Sequence, residues 1–149
     1  MIIYLSIKNS ITALLKELYP TFDIFYEEIS KTQDKNVLEL TDYFFVDIIP
    51  VENTTLSEYH TLRSMVIDIA GHTKAETNQE YLIMADAIDK IIRPVFQFED
   101  RAITINRANH KIVDKVLHYT FDLVFTDTVE APEPPPLMEE LDITIKEGM

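Results

Sequence analysis

The sequence predicts an α+β fold: an antiparallel or mixed sheet of about four or five strands, two helices packed on one of its faces, and an extended C-terminal arm. Three observations predict it. Two segments carry apolar residues at spacings of three and four, the helical period. One long segment ending near Thr126 alternates apolar and polar side chains, the mark of a half-buried antiparallel strand. Helical and extended segments do not alternate regularly along the chain, which argues against a doubly wound parallel sheet.

The first helix is marked by Tyr4, Ile7, Ile11, Leu14, Leu15 and Leu18, with Lys8, Asn9, Thr12, Lys16 and Glu17 on the other side. Pro20 stops it, because proline has no N–H and disfavours a helical residue before it. A short strand is expected at Asp23–Ile29, then a polar loop at Ser30–Lys35. The run Tyr43-Phe44-Phe45-Val46-Asp47-Ile48-Ile49 is rich in aromatic and β-branched residues and predicts a strand that ends at Pro50 or lies at an edge. Glu52-Asn53-Thr54-Thr55 is the expected turn into a second strand from about Tyr59 to Ala70. The second helix begins after Gly71, where Thr73…Glu76 and Thr77…Glu80 both fit a capping box. Its stripe is Tyr81, Met84, Ala85, Ile88, Ile91, Ile92 and Val95, and Pro94 marks its end. A hairpin follows, with Ala102–Asn106 as one arm and Arg107–His110 as the connection. In the long second arm Val113, Leu117, Tyr119, Phe121, Leu123 and Phe125 share one face, Lys115 being the only intruder. Asp114, His118, Thr120, Asp122 and Thr126 share the other.

The 149 residues are one domain's worth of chain. We read 1–129 as a single α+β domain and 130–149 as a Pro-rich acidic linker with a strand-like arm. The absence of cysteine excludes disulfides, a thiolate nucleophile and a Cys-based metal site. With two glycines the chain cannot build a Walker A loop or a GxGxxG fingerprint, each of which needs several to bring backbone against phosphate. No run approaches about 20 apolar residues, so no membrane span is expected. The apolar opening Met1–Leu5 lacks the basic flank and cleavage site of a signal peptide, which predicts synthesis in a cytoplasm. The formal charge of −13 predicts a surface that repels nucleic acid and anionic membrane.

No residue set nominates an active site, and neither cofactor nor metal is expected. His60, His72, His110 and His118 form no HxH or HExxH pair. Asp114, His118 and Asp122 share a strand face at spacing four, roughly 13 Å apart, too far for one metal or one acid–base pair. Glu27-Glu28 and Glu139-Glu140 are adjacent and read as solvating charge. No serine sits in a glycine-flanked elbow. Arg101, Arg107 and Lys111 cluster near the hairpin but are offset by Glu99, Asp100 and Asp114, so a basic nucleic-acid patch has weak support.

The arm is the informative feature. Glu130-Ala131-Pro132-Glu133-Pro134-Pro135-Pro136 reads as an extended polyproline II spacer. Beyond it Leu141, Ile143 and Ile145 alternate with Asp142, Thr144 and Lys146. So short a strand is not stable alone; the alternatives are that it adds to a neighbour's sheet, folds back on its own or stays disordered. Leu141, Ile143 and Ile145, with Tyr43 and Phe45 on the aromatic strand, are therefore the candidate subunit-interface residues.

The opening helix running into Tyr19-Pro20, the segment Phe25-Tyr26-Glu27-Glu28-Ile29, and the Phe44-Phe45-Val46 and Leu117-His118-Tyr119-Thr120-Phe121 strands form a recognisable order. So does the close Glu133-Pro134-Pro135-Pro136-Leu137-Met138-Glu139-Glu140-Leu141. In that order and composition, over nearly the whole length, the chain resembles the tail terminator (tail-completion) proteins of phages and phage-like particles of Gram-positive bacteria. The resemblance implies a small α+β fold and a ring, usually a hexamer, on the head-proximal end of the tail tube. Such a ring stops tube polymerisation and presents the surface that joins the tail to the head. The implied partners are other copies of the chain, the tail tube protein, and the sheath and head–tail connector proteins. No catalytic residues are implied. A head–tail joining adaptor, a tube-like protein of the same particle, or an acidic protein-binding module outside phages are the competing readings. Residues 127–149 hold seven acids against Lys146 alone, nearly half of the net charge. On the ring reading, an acidic channel wall lets DNA pass as cargo without sticking.

Overall fold

The computed structural model describes residues 2–25 and 41–128. The elements run α1 (Tyr4–Leu18), β1 (Asp23–Phe25), β2 (Tyr43–Ser57), β3 (His60–His72), α2 (Asn78–Ile92), β4 (Val95–Phe98), β5 (Arg101–Thr104), β6 (Ala108–Val113) and β7 (Val116–Thr128). Five strands make one mixed sheet in the order β1-β2-β3-β7-β6, and β4 pairs with β5 in a small second sheet. Only the β1–β2 pair is parallel. The predicted α+β class with two helices on one sheet face is the architecture found.

α1 buries Ile7, Ile11 and Leu15, one per turn. It stops where predicted: the Tyr19 N–H closes the last turn on the Leu15 carbonyl at 2.8 Å, and Pro20 offers no further donor. Its first turn has neither an acid nor a side-chain cap. For α2 the Thr77 box is the one used, its hydroxyl accepting from the Glu80 N–H at 3.3 Å. Thr73 performs the same service one turn earlier for the Glu76 N–H, also at 3.3 Å. Tyr81, Met84, Ala85, Ile88 and Ile92 are the buried stripe, and the helix ends just before Pro94. Val95 does not extend the stripe; it opens β4 and is exposed.

Both helices lie on one face of the sheet. Phe44, Val46, Met65, Ile67, Ile69, Leu117, Tyr119, Phe121 and Leu123 point into the same core as the helix stripes. The register stacks them in rows across three strands: Val46, Ile69 and Tyr119 in one, Ile48, Ile67 and Phe121 in the next. Each such side chain contributes about 1.5–3 kcal/mol when fully buried. Gly71 lies beneath this layer. A Cβ there would stand 2.6 Å from the Met84 sulfur and 3.0 Å from the Phe44 ring, so the missing side chain lets α2 settle onto β3.

The sheet corrects three expectations. β2 does not end at Pro50 but continues to Ser57. The alternative, an edge position, holds: β1 pairs only Tyr43–Phe45, and beyond that no strand flanks β2 on that side among the described residues. Pro50 therefore removes no ladder bond on that side, and a register shift between Pro50 and Glu52 absorbs its geometry. The expected turn at Glu52–Thr55 is strand, and the chain reverses at Glu58-Tyr59 instead. The third correction concerns the hairpin. Ala108–His110 belong to β6, and the connection is Asp114-Lys115, both with positive φ, 50° and 62°. A two-residue loop with two positive φ angles matches the twist of the flanking strands. Lys115 is thus a turn residue rather than an intruder on a strand face, and Val113 is an exposed residue of β6. The expected helical stripe up to Val95 overlaps the start of β4, which the structure begins at Val95.

Lysine has no ready way to relieve a left-handed conformation. Lys115→Gly is expected to stabilise the fold by about 0.5–1 kcal/mol, the relief exceeding the loss of one exposed ion pair. Urea denaturation midpoints check it. Residues 26–29 of the first predicted strand, the 30–35 loop and the arm with Leu141, Ile143 and Ile145 lie outside the described residues.

Candidate assembly surface

Among the described residues the helices cover one face of the sheet and leave the other bare, and Tyr43 and Phe45 fall on the bare face. Tyr43 and Phe45 flank the buried Phe44, so alternation turns both away from the helices. Each is half-buried. The Tyr43 ring stacks on His72 with centroids 5.0 Å apart and meets Phe25 edge-on at 5.8 Å. At these positions β2 is flanked by β1 and β3; among the described residues no strand flanks that side from Val46 on. The structure therefore offers Tyr43 and Phe45 through side chains, not through open backbone.

Further along the bare face, Asp68 of β3 gathers two residues of β7. The His118 Nδ1 lies 3.1 Å from Asp68 Oδ2, and the Thr120 hydroxyl donates to Asp68 Oδ1 at 3.3 Å. Ile49, Lys111 and Val113 line the same hollow. This is not a nucleophile triad. In a triad the imidazole stands between hydroxyl and carboxylate, whereas here both groups bond the carboxylate directly. The sequence sets His118 on one strand face with Asp114 and Asp122, too far apart to act together, and gives no sign of Asp68. The link depends on the β3–β7 register, which places Asp68 opposite Thr120 and has no signature in either strand alone.

A second cluster joins the start of β2 to the approach to α2. His72 is buried; its Nδ1 lies 2.8 Å from the Thr41 carbonyl and its Nε2 lies 3.0 Å from Glu76 Oε1. Lys115 reaches the other Glu76 oxygen at 3.5 Å. Tyr81 sits beneath, accepting from the Thr73 N–H and donating to the Lys115 carbonyl. These bonds, the His72 hydrogen bond above all and the Lys115 charge after it, hold the Glu76 carboxyl below its usual range. His72→Phe is expected to return the Glu76 titration toward the ordinary glutamate range, read from its carboxyl carbon shift by NMR. Beside this cluster a hollow of about 390 Å³ opens between the end of α1 and the start of α2, near Tyr19, Asp42, Lys74 and Ile83.

At the far end of the sheet, Arg63 and Asp127 form a buried pair, 7% and 2% exposed. Arg63 Nη1 stands 3.1 Å from Asp127 Oδ2 and also donates to the Ile2 carbonyl. Asp127 in turn accepts from the Ile2 N–H at 3.0 Å. The guanidinium lies over the Tyr4 ring at 4.7 Å and the Phe125 ring at 5.5 Å. This pair fixes the entry to α1, which has no cap of its own. Among the described residues no three His, Asp or Glu side chains converge on a point that could hold a metal ion.

Among the described residues, then, the mixed five-stranded sheet presents one bare face with scattered ion pairs such as Asp68–His118 on it. The model of one family, described as phage tail terminator protein, matches residues 6–135. The chain belongs to that family. The tail terminator is accordingly a structural component of the phage tail and interacts with other tail components. No curated protein matches it by sequence. One solved structure aligns over 85% of this tail terminator and 98% of its own chain, at 11% identity and a TM-score of 0.40, a likeness too slight to bear on either fold or role.

Proposed function

We propose that this tail terminator assembles as a ring, a hexamer by the resemblance noted above, on the head-proximal end of the tail tube. There it stops addition of tube protein and presents the surface to which the head connector attaches. The observation that supports it is the one-sided architecture: helices cover one sheet face, while the other face and the β2 edge beyond Phe45 stay uncovered in the described residues. A ring closes through two different patches on each copy, and a chain with unlike faces and unlike edges supplies them. One ring face docks on the last tube ring; the other lacks whatever recruits more tube. Tyr43 and Phe45 on the bare face, and Leu141, Ile143 and Ile145 of the arm, are the proposed subunit contacts. The sheath and the connector are further partners, and DNA passes through a channel whose carboxylates repel phosphate.

Electron microscopy of particles made without the protein tests the reading. Overlong tubes are the expected result. Tails of normal length beside unattached heads would instead assign a joining role.

A further inference from the structure

We propose that the outer edge of β6 receives the C-terminal strand of a neighbouring copy, residues 141–146, so that each arm extends the next subunit's sheet. The inference rests on the ring reading above and adds the receiving site.

β6 closes the five-stranded sheet on the side away from β1, and no strand flanks its outer edge among the described residues. Almost all of it is exposed. An edge of this kind presents unpaired N–H and C=O groups at alternate residues, the template that strand addition uses. Charge selects the occupant. β6 is the only strand of the five-stranded sheet with a net positive charge, from Lys111, while β1, β2 and β7 are net negative. Lys111 makes no ion pair among the described residues; Arg107 and Lys115, at either end of the strand, already face Asp122 at 3.9 Å and Glu76 at 3.5 Å. The arm is the reverse: Glu139, Glu140, Asp142 and Glu147 against Lys146.

The two faces match as well. Lys111 and Asn109 lie on the bare face of the sheet, Ala108 and Ile112 on the helix side. An added strand with Leu141, Ile143 and Ile145 on the helix side continues the apolar layer past Ile112, which is exposed as the edge stands. The same placement sets Glu140 and Asp142 beside Lys111 as cross-strand neighbours.

Reach favours a neighbour over the same copy. β7 ends at Thr128, opposite His60, whereas Lys111 lies opposite His118 at the other end of that strand. Returning along it covers about 33 Å. Residues 129–140 span about 37 Å when extended as polyproline II. The same copy's edge is reached only if the chain reverses at once, next to the stiff Pro132-Glu133-Pro134-Pro135-Pro136 run. Continuing outward carries the strand to the next subunit.

Because the natural chain has no cysteine, a single engineered pair is unambiguous. The full chain carrying Lys111→Cys and Asp142→Cys, mildly oxidised, is expected to give disulfide-linked multimers on a non-reducing gel. Their yield should exceed by at least tenfold that of a control pair, Lys16→Cys with Asp142→Cys. A disulfide confined to the monomer band, or none above the control, overturns the inference. Independently, Lys111→Glu should weaken assembly in native mass spectrometry and Asp142→Lys should restore it; absence of rescue also counts against the pairing. The natural chain's ability to stop tube growth is scored in parallel. If capping persists without the cross-link, the β6 site falls and the ring reading stands; if capping fails, the ring reading falls.

Discussion

Replacing Asp127 with alanine is expected to lower stability by about 3–5 kcal/mol, because it leaves the buried Arg63 without its carboxylate. At this chain length the melting temperature should fall by about 10–20 °C. The Ile2 N–H loses its acceptor in the same step, so the start of α1 should lose hydrogen-exchange protection before the rest of the core. The paired change Arg63→Met with Asp127→Leu should recover most of the loss, since the buried guanidinium goes with its carboxylate and Arg101, the other cation beside Asp127 at 3.6 Å, is partly open to solvent. Burial alone would raise the Asp127 pKa, but the Ile2 N–H and Arg63 outweigh it and hold the carboxyl below its usual value. A carboxyl depressed in the folded state contributes stability above its unfolded pKa and loses it as pH falls through the folded one. The wild-type advantage over the double variant should therefore shrink below about pH 4.

Phe44→Ala is expected to cost about 3–5 kcal/mol, the range for deleting a fully buried aromatic ring. Phe44 is completely buried, and its ring packs on Phe22 at 5.0 Å and Tyr19 at 5.5 Å. It also lies over Gly71. One side chain thus holds the end of α1, the first residues of β2 and the approach to α2. Chemical denaturation followed by tryptophan-independent probes, such as far-ultraviolet circular dichroism, measures the loss, since the chain contains no tryptophan. Phe45→Ala, one position along and on the bare face, should cost far less for stability. The contrast separates a core residue from a proposed contact residue.

The helices, the long alternating strand and the α+β class were legible because each rests on a local period. α1 and α2 announce themselves through stripes and through Pro20 and Pro94. From Leu117 onward β7 alternates as read, and Asp127 continues its buried face as a charge held by Arg63, sixty-four positions away, by Arg101 and by the Ile2 N–H. What could not be read locally was misplaced. Asp114-Lys115 lacks the Asn-Gly or Asp-Gly signature of a tight hairpin, so the turn was sought earlier, at Arg107–His110. Pro50 stays inside a strand whose outer side has no neighbour among the described residues, a fact about topology rather than about proline. The Asp68–His118 and His72–Glu76 groups form by register and by the approach of α2, and neither stretch carries a motif for them. The Leu141, Ile143 and Ile145 arm is an expectation from alternation alone and lies outside the described residues.

Among the described residues no strand flanks the β2 edge beyond Phe45. A long row of open backbone groups is a hazard in any crowded host, because it invites indiscriminate strand-to-strand clumping and, at length, fibres. Pro50 withholds a donor in the middle of that row, and the extra residue between Pro50 and Glu52 throws the two halves out of step. A foreign strand laid along it finds matching partners for only a few residues before the spacing fails. The kink thus works as a safeguard for solubility: the edge stays open to a partner shaped for its irregularity and closed to an ordinary straight strand.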